Sequence, residues 1–342
     1  MERTFKIIYT SDTHGHIFPV NYAAGCGESS GLLNLAAQID KNGNTLVLDG
    51  GDSLQGTPLV QYYLAHADEF PHHPVAEAFN AMGCDYFTLG NHDFNFGYDA
   101  LRAYLCAMDG VCLCANVQDL GGALPLLPET VHTLKNGLRI GITGIVTDYV
   151  NVWEQPQNLK KLRITEAFDA ARAACARLRP ICDICVCIYH GGFEEDLHTG
   201  AVLSGSGENL ACRIARELDF DLLLTDSTAP VCRSSSMPGA ICRWKPRYGT
   251  AVQNFPHACC LWAAYTGNSL IAASCLWSRP HSAGWTNLWG IWSRPSPLRK
   301  SCAQRCTAAL WRHCSTKSSF HTPVPTSPAP ASAMNSQALP RP

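Results

Sequence analysis

Short apolar runs alternate with amphipathic segments through the first two thirds of the chain. Seven apolar runs are typical of buried strands: residues 5–9, 45–48, 86–89, 111–115, 139–146, 181–189 and 221–225. Segments with helical spacing lie between them: residues 31–39, 74–82, 98–107, 208–218, and a helix that Thr165 can cap and Pro180 terminates. Lys135–Leu138 gives a hairpin signal between 131–134 and 139–146. Because strands mostly alternate with helices, the pattern predicts an α/β fold built in layers.

Four of the predicted strands end in residues that can bind metal ions. The motifs are Asp12-Thr13-His14, Gly51-Asp52-Ser53, Gly90-Asn91-His92-Asp93 and Tyr189-His190-Gly191-Gly192. Each motif alone could be a turn, a helix cap or the polar end of a strand. The carboxyl ends of strands in an α/β fold meet at one edge of the sheet, where such folds bind substrates. Four motifs at four strand ends therefore favour a shared metal site.

The residue types suit two divalent cations about 3.5–4 Å apart, which together can activate a water molecule and hold both oxygens of a phosphoryl displacement. Asp12 and His14 are two positions apart, so in an extended segment both would point to one side. Asp52 follows a Gly-Gly turn and is the candidate bridging ligand. Asn91 offers a carbonyl oxygen, and His190 offers an imidazole to the second metal. The metals would belong to the Mn, Zn, Fe or Mg class.

His92 and Asp93 are the candidate catalytic residues beside this metal site. His92 can donate to the phosphoryl group or the leaving oxygen, with Asp93 fixing its tautomer. Asn91 and His92 are also the candidate substrate-binding residues. This assignment predicts that His92 acts on the substrate and binds no metal.

The cysteines give a weaker signal. Cys182, Cys185 and Cys187 form a close cluster, but they lie in a largely apolar strand, where cysteine packs as a small hydrophobic residue. Core packing is favoured over a zinc site, since structural zinc needs four ligands and no second pair lies nearby. Met1 leads straight into the first strand without an apolar leader segment. We therefore expect reduced thiols and a cytoplasmic location.

Composition divides the chain near residue 226. Residues 1–226 hold all 28 acidic residues and 14 of the 26 basic ones, while residues 227–342 hold the other 12 basic residues and no acid. A segment of that length would ordinarily carry on the order of 14 acidic residues. The same segment holds 7 of the 8 Trp and 8 of the 18 Cys. The abrupt change predicts that residues 227–342 are a frame-shifted, largely disordered tail.

Two functional explanations of this tail are weaker. A nucleic-acid-binding arm is disfavoured because the Lys and Arg residues are scattered and form no stripe. A membrane segment over 248–278 is disfavoured because the run lacks the roughly 20 consecutive apolar residues that a spanning helix needs. We therefore expect neither a nucleic-acid partner nor a membrane partner. The sequence does not indicate an oligomeric state.

The motifs resemble the 5′-nucleotidase / 2′,3′-cyclic-nucleotide 2′-phosphodiesterase family of calcineurin-like metallophosphatases. The segments that carry the resemblance are Tyr9–His16, Gly51–Pro58, Gly90–Gly97, His190–Glu194 and Gly207–Ala211. The resemblance covers residues 5–225. It implies a four-layer αββα fold and hydrolysis of nucleotide monophosphates, cyclic nucleotides or similar esters, as in nucleotide catabolism.

The resemblance also implies a ligand set. Asp12, His14 and Asp52 resemble the ligands of one metal, and Asp52, Asn91 and His190 resemble those of the other. His92 resembles the transition-state stabiliser. The metallophosphoesterase domain would span residues 1–226.

Two features depart from the family pattern. A Gly-His-x-His type motif that supplies one further ligand to each metal is expected right after 221–225, where Asp226–Pro230 stands instead. The family also usually has a C-terminal domain that binds the base, and nothing after residue 226 resembles it. The domain is therefore predicted to be truncated. The favoured function is a metal-dependent nucleotide phosphoesterase, and the alternative is a non-catalytic remnant that binds metal weakly.

Overall fold

The computed structural model describes residues 5–21, 24–27, 31–196 and 199–225, together with five short strands within 242–277. The α-helices are α1 Leu32–Ala36, α2 Pro58–Ala65, α3 Pro74–Met82, α4 Gly97–Ala107, α5 Val150–Trp153, α6 Ala167–Leu178 and α7 Ala211–Glu217. Single 3-10 turns lie at Ala67–Glu69 and Asn91–Phe94. The strands up to residue 133 are β1 Lys6–Thr10, β2 Val20–Asn21, β3 Cys26–Gly27, β4 Thr45–Asp49, β5 Tyr86–Phe87, β6 Val111–Leu113, β7 Val117–Asp119, β8 Leu126–Leu127 and β9 Glu129–Thr133. The later strands are β10 Arg139–Val146, β11 Leu162–Ile164, β12 Ile184–His190, β13 Leu222–Thr225, β14 Cys242–Trp244, β15 Ala258–Leu261, β16 Tyr265–Thr266, β17 Ser269–Leu270 and β18 Ala273–Trp277.

Two mixed sheets form the centre of the fold. The first has the order β15-β18-β1-β4-β5-β6-β8, and five of these strands, β1, β4, β5, β6 and β8, run parallel. The second has the order β14-β13-β12-β10-β9, with β10, β12 and β13 parallel. The predicted hairpin is confirmed, because β9 pairs antiparallel with β10 and Arg139 lies opposite Thr133. Parallel strands in both sheets place many strand ends at a common edge.

Three hydrophobic cores separate four layers. Alternate residues of a strand point to opposite faces of its sheet. The middle core joins inward-facing residues of both sheets, such as Ile7 and Leu48 from the first and Val186 from the second. Ile8 points the other way, into a core that the first sheet shares with α1, α3 and α4. Cys187 likewise faces the core under α6 and α7. The predicted four-layer αββα architecture is thus confirmed.

The sequence pattern missed or displaced several local elements. Helix α2 was not predicted, although Thr57 caps it by accepting a hydrogen bond from the Val60 N–H at 3.3 Å, and Pro58 occupies its first turn. Helix α6 is capped by Glu166, whose carboxylate accepts from the Asp169 N–H at 3.0 Å. Thr165 was the expected cap, so this prediction is wrong by one residue.

The region predicted to be a disordered tail contains the five short strands β14 to β18. Strand β14 pairs antiparallel with β13, and β18 pairs antiparallel with β1. The rest of 227–342 lies outside the described residues, so the frame-shift and disorder of that part stay predictions. Residues 248–278, where a membrane segment was disfavoured, also lie largely outside them. In the part of the chain that the structure describes, no helix is long and apolar enough to cross a membrane.

Candidate metal centre

The candidate site lies where strands of both sheets end. Strands β1, β4 and β5 are neighbours in the first sheet, and their carboxyl ends lead into the first three motifs. Strand β12 of the second sheet ends at His190. At this edge the His190 ring of the second sheet contacts the loop after β4 of the first sheet, because its Nδ1 lies 2.7 Å from the Gly50 carbonyl oxygen. The site is therefore assembled from distant segments that the layered fold brings together.

Three candidate ligands have an unusual backbone conformation. Asp12, His14 and Asp52 have φ values of 54°, 47° and 57°, and among the described residues no other non-glycine residue has a positive φ. Such a conformation costs about 1–3 kcal/mol per residue and persists only where the surroundings enforce it. Here the Asp12 N–H donates to the Gly51 carbonyl at 3.0 Å, and the His14 N–H donates to the Asp52 carbonyl at 2.8 Å. The expected extended segment is thus wrong, because these bonds hold the residues in a left-handed loop.

Two glycines allow the loops after β4 and β5 to touch. Gly51 has φ 94°, and a Cβ there would lie 2.2 Å from the Gly90 nitrogen. A Cβ on Gly90 would lie 2.1 Å from Asp52 Oδ1. Neither space accommodates a side chain, so the approach of Asp52 to the β5 loop depends on glycine at both positions.

The Asp52 carboxylate is at the centre of the cluster. Its Oδ2 lies 4.0 Å from His14 Nε2 and 3.4 Å from His190 Nε2, while its Oδ1 accepts from the His92 N–H at 2.8 Å. One ligand atom each from Asp12, His14 and Asp52 lies within 4.8 Å of the others. Burial raises the pKa of Asp52, whereas protonated rings of His190, His92 and His14, with a hydrogen bond from His190, would lower that pKa below its ordinary value.

The second group of candidate ligands, His190 and Asn91, also lies beside Asp52. His190 is fully buried, and its Nε2 lies 3.2 Å from Asn91 Oδ1. The Gly50 carbonyl can only accept, so it fixes the proton of a neutral His190 ring on Nδ1. Nε2 then carries a lone pair that faces two acceptor oxygens, Asp52 Oδ2 and Asn91 Oδ1. Three lone-pair donors directed at one another are what a cation requires.

His14 shows the same arrangement. Its Nδ1 lies 2.9 Å from the Gln55 carbonyl oxygen, which leaves Nε2 of a neutral ring directed at Asp52. Histidines that bind metals almost always donate their other ring N–H to a carbonyl or carboxylate. Both His14 and His190 meet this condition through backbone carbonyls. The described donor set of oxygen and imidazole groups therefore fits divalent cations of the predicted class.

The expected pairing of His92 with Asp93 is wrong. The buried Asp93 carboxylate accepts four backbone N–H groups: Gly90 and Asp52 on Oδ2, at 2.8 and 2.9 Å, and Ser53 and Leu54 on Oδ1, at 2.8 and 3.0 Å. Burial and the nearby Asp52 charge raise the pKa of Asp93, and these N–H groups oppose the rise. Asp93 thus holds the two loops together, because its oxygens are directed at backbone donors and away from the His92 ring.

His92 takes its orientation from a residue that the sequence did not suggest. Its Nδ1 lies 3.0 Å from Asn95 Nδ2, an amide group that can only donate. A neutral His92 ring then carries its proton on Nε2. The ring is half-buried, and its centroid lies 5.7 Å from that of His14. Asn95 lies two residues after the Asn-His-Asp motif, but nothing in its residue type distinguishes it from an ordinary turn residue.

Other predicted features lie elsewhere or beyond the described part. Cys182, Cys185 and Cys187 are buried in the core beneath α6 and α7, which confirms the packing interpretation. Among the described residues, only Asp12, His14 and Asp52 form a group of three or more Asp, Glu, His or Cys side chains placed to hold a metal. Asp226–Pro230 and the tail histidines, His257, His281, His313 and His321, lie outside the described residues.

Comparison with known proteins finds matches over the part of the chain that contains this site. The profile of the calcineurin-like phosphoesterase family matches residues 5–224. A 2′,3′-cyclic-nucleotide 2′-phosphodiesterase/3′-nucleotidase of Salmonella typhimurium is 30% identical over 207 residues, covering 56% of this chain and 32% of the relative. A trifunctional nucleotide phosphoesterase of Bacillus subtilis is 27% identical over 209 residues, covering 56% of this chain and 14% of the relative. This chain therefore spans a third or less of the length of these two relatives.

A solved structure supports the fold alone. The crystal structure of a calcineurin-like phosphoesterase from Bacillus subtilis superposes with a TM-score of 0.61 at 20% identity, covering 91% of this chain and 98% of that one. The metallophosphoesterase fold predicted from the sequence is thus the fold of a solved structure that is 20% identical to this chain.

Proposed function

Because this chain belongs to the calcineurin-like phosphoesterase family, we propose that it hydrolyses nucleotide phosphate esters, of the 5′-nucleotidase or 2′,3′-cyclic-nucleotide phosphodiesterase type. One observation carries the proposal. Two oxygen atoms lie close to His190 Nε2: Asp52 Oδ2 at 3.4 Å and Asn91 Oδ1 at 3.2 Å. All three atoms can donate a lone pair to a cation. The family uses divalent metals, and this arrangement supplies a place for them beside a histidine that can act on a phosphoryl group.

The residues divide between two cation positions. Asp12 and His14 would hold one cation, Asn91 and His190 would hold the other, and Asp52 would bridge both, since its Oδ2 faces His14 and His190 alike. When bound, the cations would supply Lewis acidity toward the phosphoryl oxygens and lower the pKa of an attacking water.

His92 and Asn91 would act on the substrate. A neutral His92 ring held by Asn95 presents its Nε2–H, which can donate to a phosphoryl oxygen or protonate the leaving oxygen. The Asn91 amide offers its N–H groups to the phosphoryl group, since its oxygen is directed at His190. The His92 backbone N–H is already bonded to Asp52, so the ring is held in place from both ends.

The test is a panel of esters supplied to the purified chain with Mn²⁺. Adenosine 5′-monophosphate and 2′,3′-cyclic AMP represent nucleotides, and glycerol 2-phosphate represents a small ester. We expect nucleotide hydrolysis to exceed glycerol phosphate hydrolysis in kcat/KM. His92→Ala should lower turnover about 10²–10⁴-fold with metal content unchanged. Hydrolysis that is insensitive to His92→Ala would contradict the assignment.

The alternative that the sequence leaves open is a remnant with weak metal binding and little or no activity. The supporting observation is that Asp226–Pro230 stands where the family's Gly-His-x-His type motif is expected. A site short of protein ligands loses affinity and geometry. A metal count on the purified 342-residue chain separates the two candidates. Two tightly held metals with robust turnover would exclude the remnant, and less than one metal without turnover would exclude the enzyme.

A further inference from the structure

A cavity of about 370 Å³ opens beside the candidate centre. Its lining residues are Asn91, His92, Asn95, Val150, Trp153 and Glu154. The volume lies in the range of small-molecule sites, about 300–1,000 Å³. One wall is the polar loop that presents His92, and the facing wall is the segment around α5. The cavity is therefore continuous with the place where a phosphate ester would react.

The facing wall is fixed to the metal centre. Strand β10 pairs with β12 so that Val146 lies opposite His190, and the next N–H, that of Thr147, donates to the His190 carbonyl at 2.8 Å. Val150 is fully buried and anchors α5. At the end of α5 the Trp153 side chain is half exposed, and its ring centroid lies 5.6 Å from that of Tyr149. A large flat side chain is thus held on a rigid support at the mouth of the cavity.

A hydrogen-bond chain braces the two walls against each other. Asn158 Nδ2 donates to Glu154 Oε1 at 2.9 Å and to the Asn95 carbonyl at 3.0 Å. Asn95 in turn holds the His92 ring. Glu154 Oε1 also accepts from the Gln155 N–H at 2.6 Å. These bonds engage one oxygen of the Glu154 carboxylate, and Glu154 is one of the residues that line the cavity.

We propose that this cavity receives the leaving group of the ester, a nucleoside whose base stacks on the Trp153 indole. The proposal rests on the proposed function, because it takes the phosphate to lie between Asn91 and His92. His92 lies beside the proposed phosphate position and also lines the cavity. A leaving oxygen next to its ring would therefore direct the nucleoside into the cavity. A base has a flat aromatic face that suits indole, and Glu154 can accept a hydrogen bond from a ribose hydroxyl.

This assignment gives a specific role to a residue outside all the sequence motifs. Stacking of one base on an aromatic side chain corresponds to about 5- to 150-fold in affinity. Val152 lies next to Trp153, is 70% exposed and does not line the cavity. It therefore offers a matched control on the same short helix.

The experiment measures adenosine binding to the full chain by calorimetry, without phosphate and without added metal. We expect Trp153→Ala to weaken binding about 5- to 150-fold, Trp153→Phe to restore most of it, and Val152→Ala to bind like the parent. Equal binding by parent and Trp153→Ala overturns the inference, and so does absence of adenosine binding to the parent at millimolar concentration.

A parallel assay separates this inference from the proposed function. Glycerol 2-phosphate hydrolysis with added Mn²⁺ reports on the reaction centre and should be equal in parent and Val152→Ala. If adenosine binding depends on Trp153 but no ester is hydrolysed, the nucleoside site stands and the proposed function fails. If esters are hydrolysed and adenosine binding ignores Trp153, the nucleoside site fails and the proposed function stands.

Discussion

Replacing Asp93 by Asn should destabilise the protein strongly, because this carboxylate holds two loops together. Its Oδ2 accepts from the Gly90 and Asp52 N–H groups, and its Oδ1 accepts from those of Ser53 and Leu54. Asp93 is 1% exposed, so no water replaces a lost partner. An asparagine in the same place keeps one acceptor oxygen and directs its NH₂ group at two N–H donors.

The expected magnitude follows from the number of bonds. A hydrogen bond to a charged group contributes about 1.5–3 kcal/mol. Losing two of the four bonds predicts a loss of about 3–6 kcal/mol in the free energy of unfolding. That loss is a large fraction of the roughly 5–15 kcal/mol that stabilises an ordinary domain.

Urea unfolding followed by circular dichroism measures the effect. Asp99→Asn is the matched control, because it is the same substitution at an exposed position in the next helix. The Asp99 side chain is 80% exposed, and its Oδ1 lies 4.0 Å from Lys161 Nζ. That control should change the free energy of unfolding by less than about 0.5 kcal/mol. If Asp93→Asn unfolds at the same urea concentration as Asp99→Asn, the loop-holding role is wrong. If Asp93 instead fixed the tautomer of His92, Asp93→Asn would lower turnover and leave the free energy of unfolding unchanged.

Three further predictions concern the chemistry, the pH dependence and the tail. His92→Ala should keep the parent's metal content by mass spectrometry, and loss of metal would make His92 a ligand. Burial lowers the pKa of His73 from 6.5 to about 4. Below pH 6.5 the unfolded chain therefore binds a proton that the folded chain does not, and the free energy of unfolding falls as the pH falls from 6.5 toward 4. His73→Asn keeps a helix cap, and its free energy of unfolding should fall about 2–3 kcal/mol less than that of the parent between neutral pH and pH 4.5. Equal losses in the two proteins would show that His73 is protonated in the folded chain. Reading the gene in its other two frames from about codon 226 should restore a Gly-His-x-His type motif and about one acidic residue in eight, and a stop codon before any such motif in both frames would end the frame-shift hypothesis.

Residue type at strand ends was enough to predict which side chains come together. Asp52 and His190 lie 138 positions apart in the chain, yet both follow apolar strands, and parallel strands bring their carboxyl ends to one edge. The continuous apolar runs 5–9 and 181–189 likewise predicted buried strands, and the layers bury Ile7 and Ile8 as well as Val186 and Cys187. These predictions succeed because periodicity and residue type act locally.

The support of the site could not be predicted in the same way. Asp93 is held by backbone N–H groups about forty positions away, and backbone groups are the same in every sequence. Asp12 and His14 were expected to be extended, but hydrogen bonds to the β4 loop enforce positive φ. Trp153 lies in a helix of one turn, which is too short to show a periodic pattern.

The measurement that tests the central claim most directly is calorimetric titration of the 342-residue chain with Mn²⁺, alongside Asp52→Asn and the control Asp99→Asn. Asp52 Oδ2 lies 4.0 Å from His14 Nε2 and 3.4 Å from His190 Nε2, so it is placed to contact both cation positions. We expect the parent and Asp99→Asn to bind Mn²⁺ alike, and Asp52→Asn to lose more than about 100-fold in affinity, beyond the 10–100-fold typical of outer-shell partners. Equal Mn²⁺ binding by Asp52→Asn and the parent, or none by the parent, would contradict it.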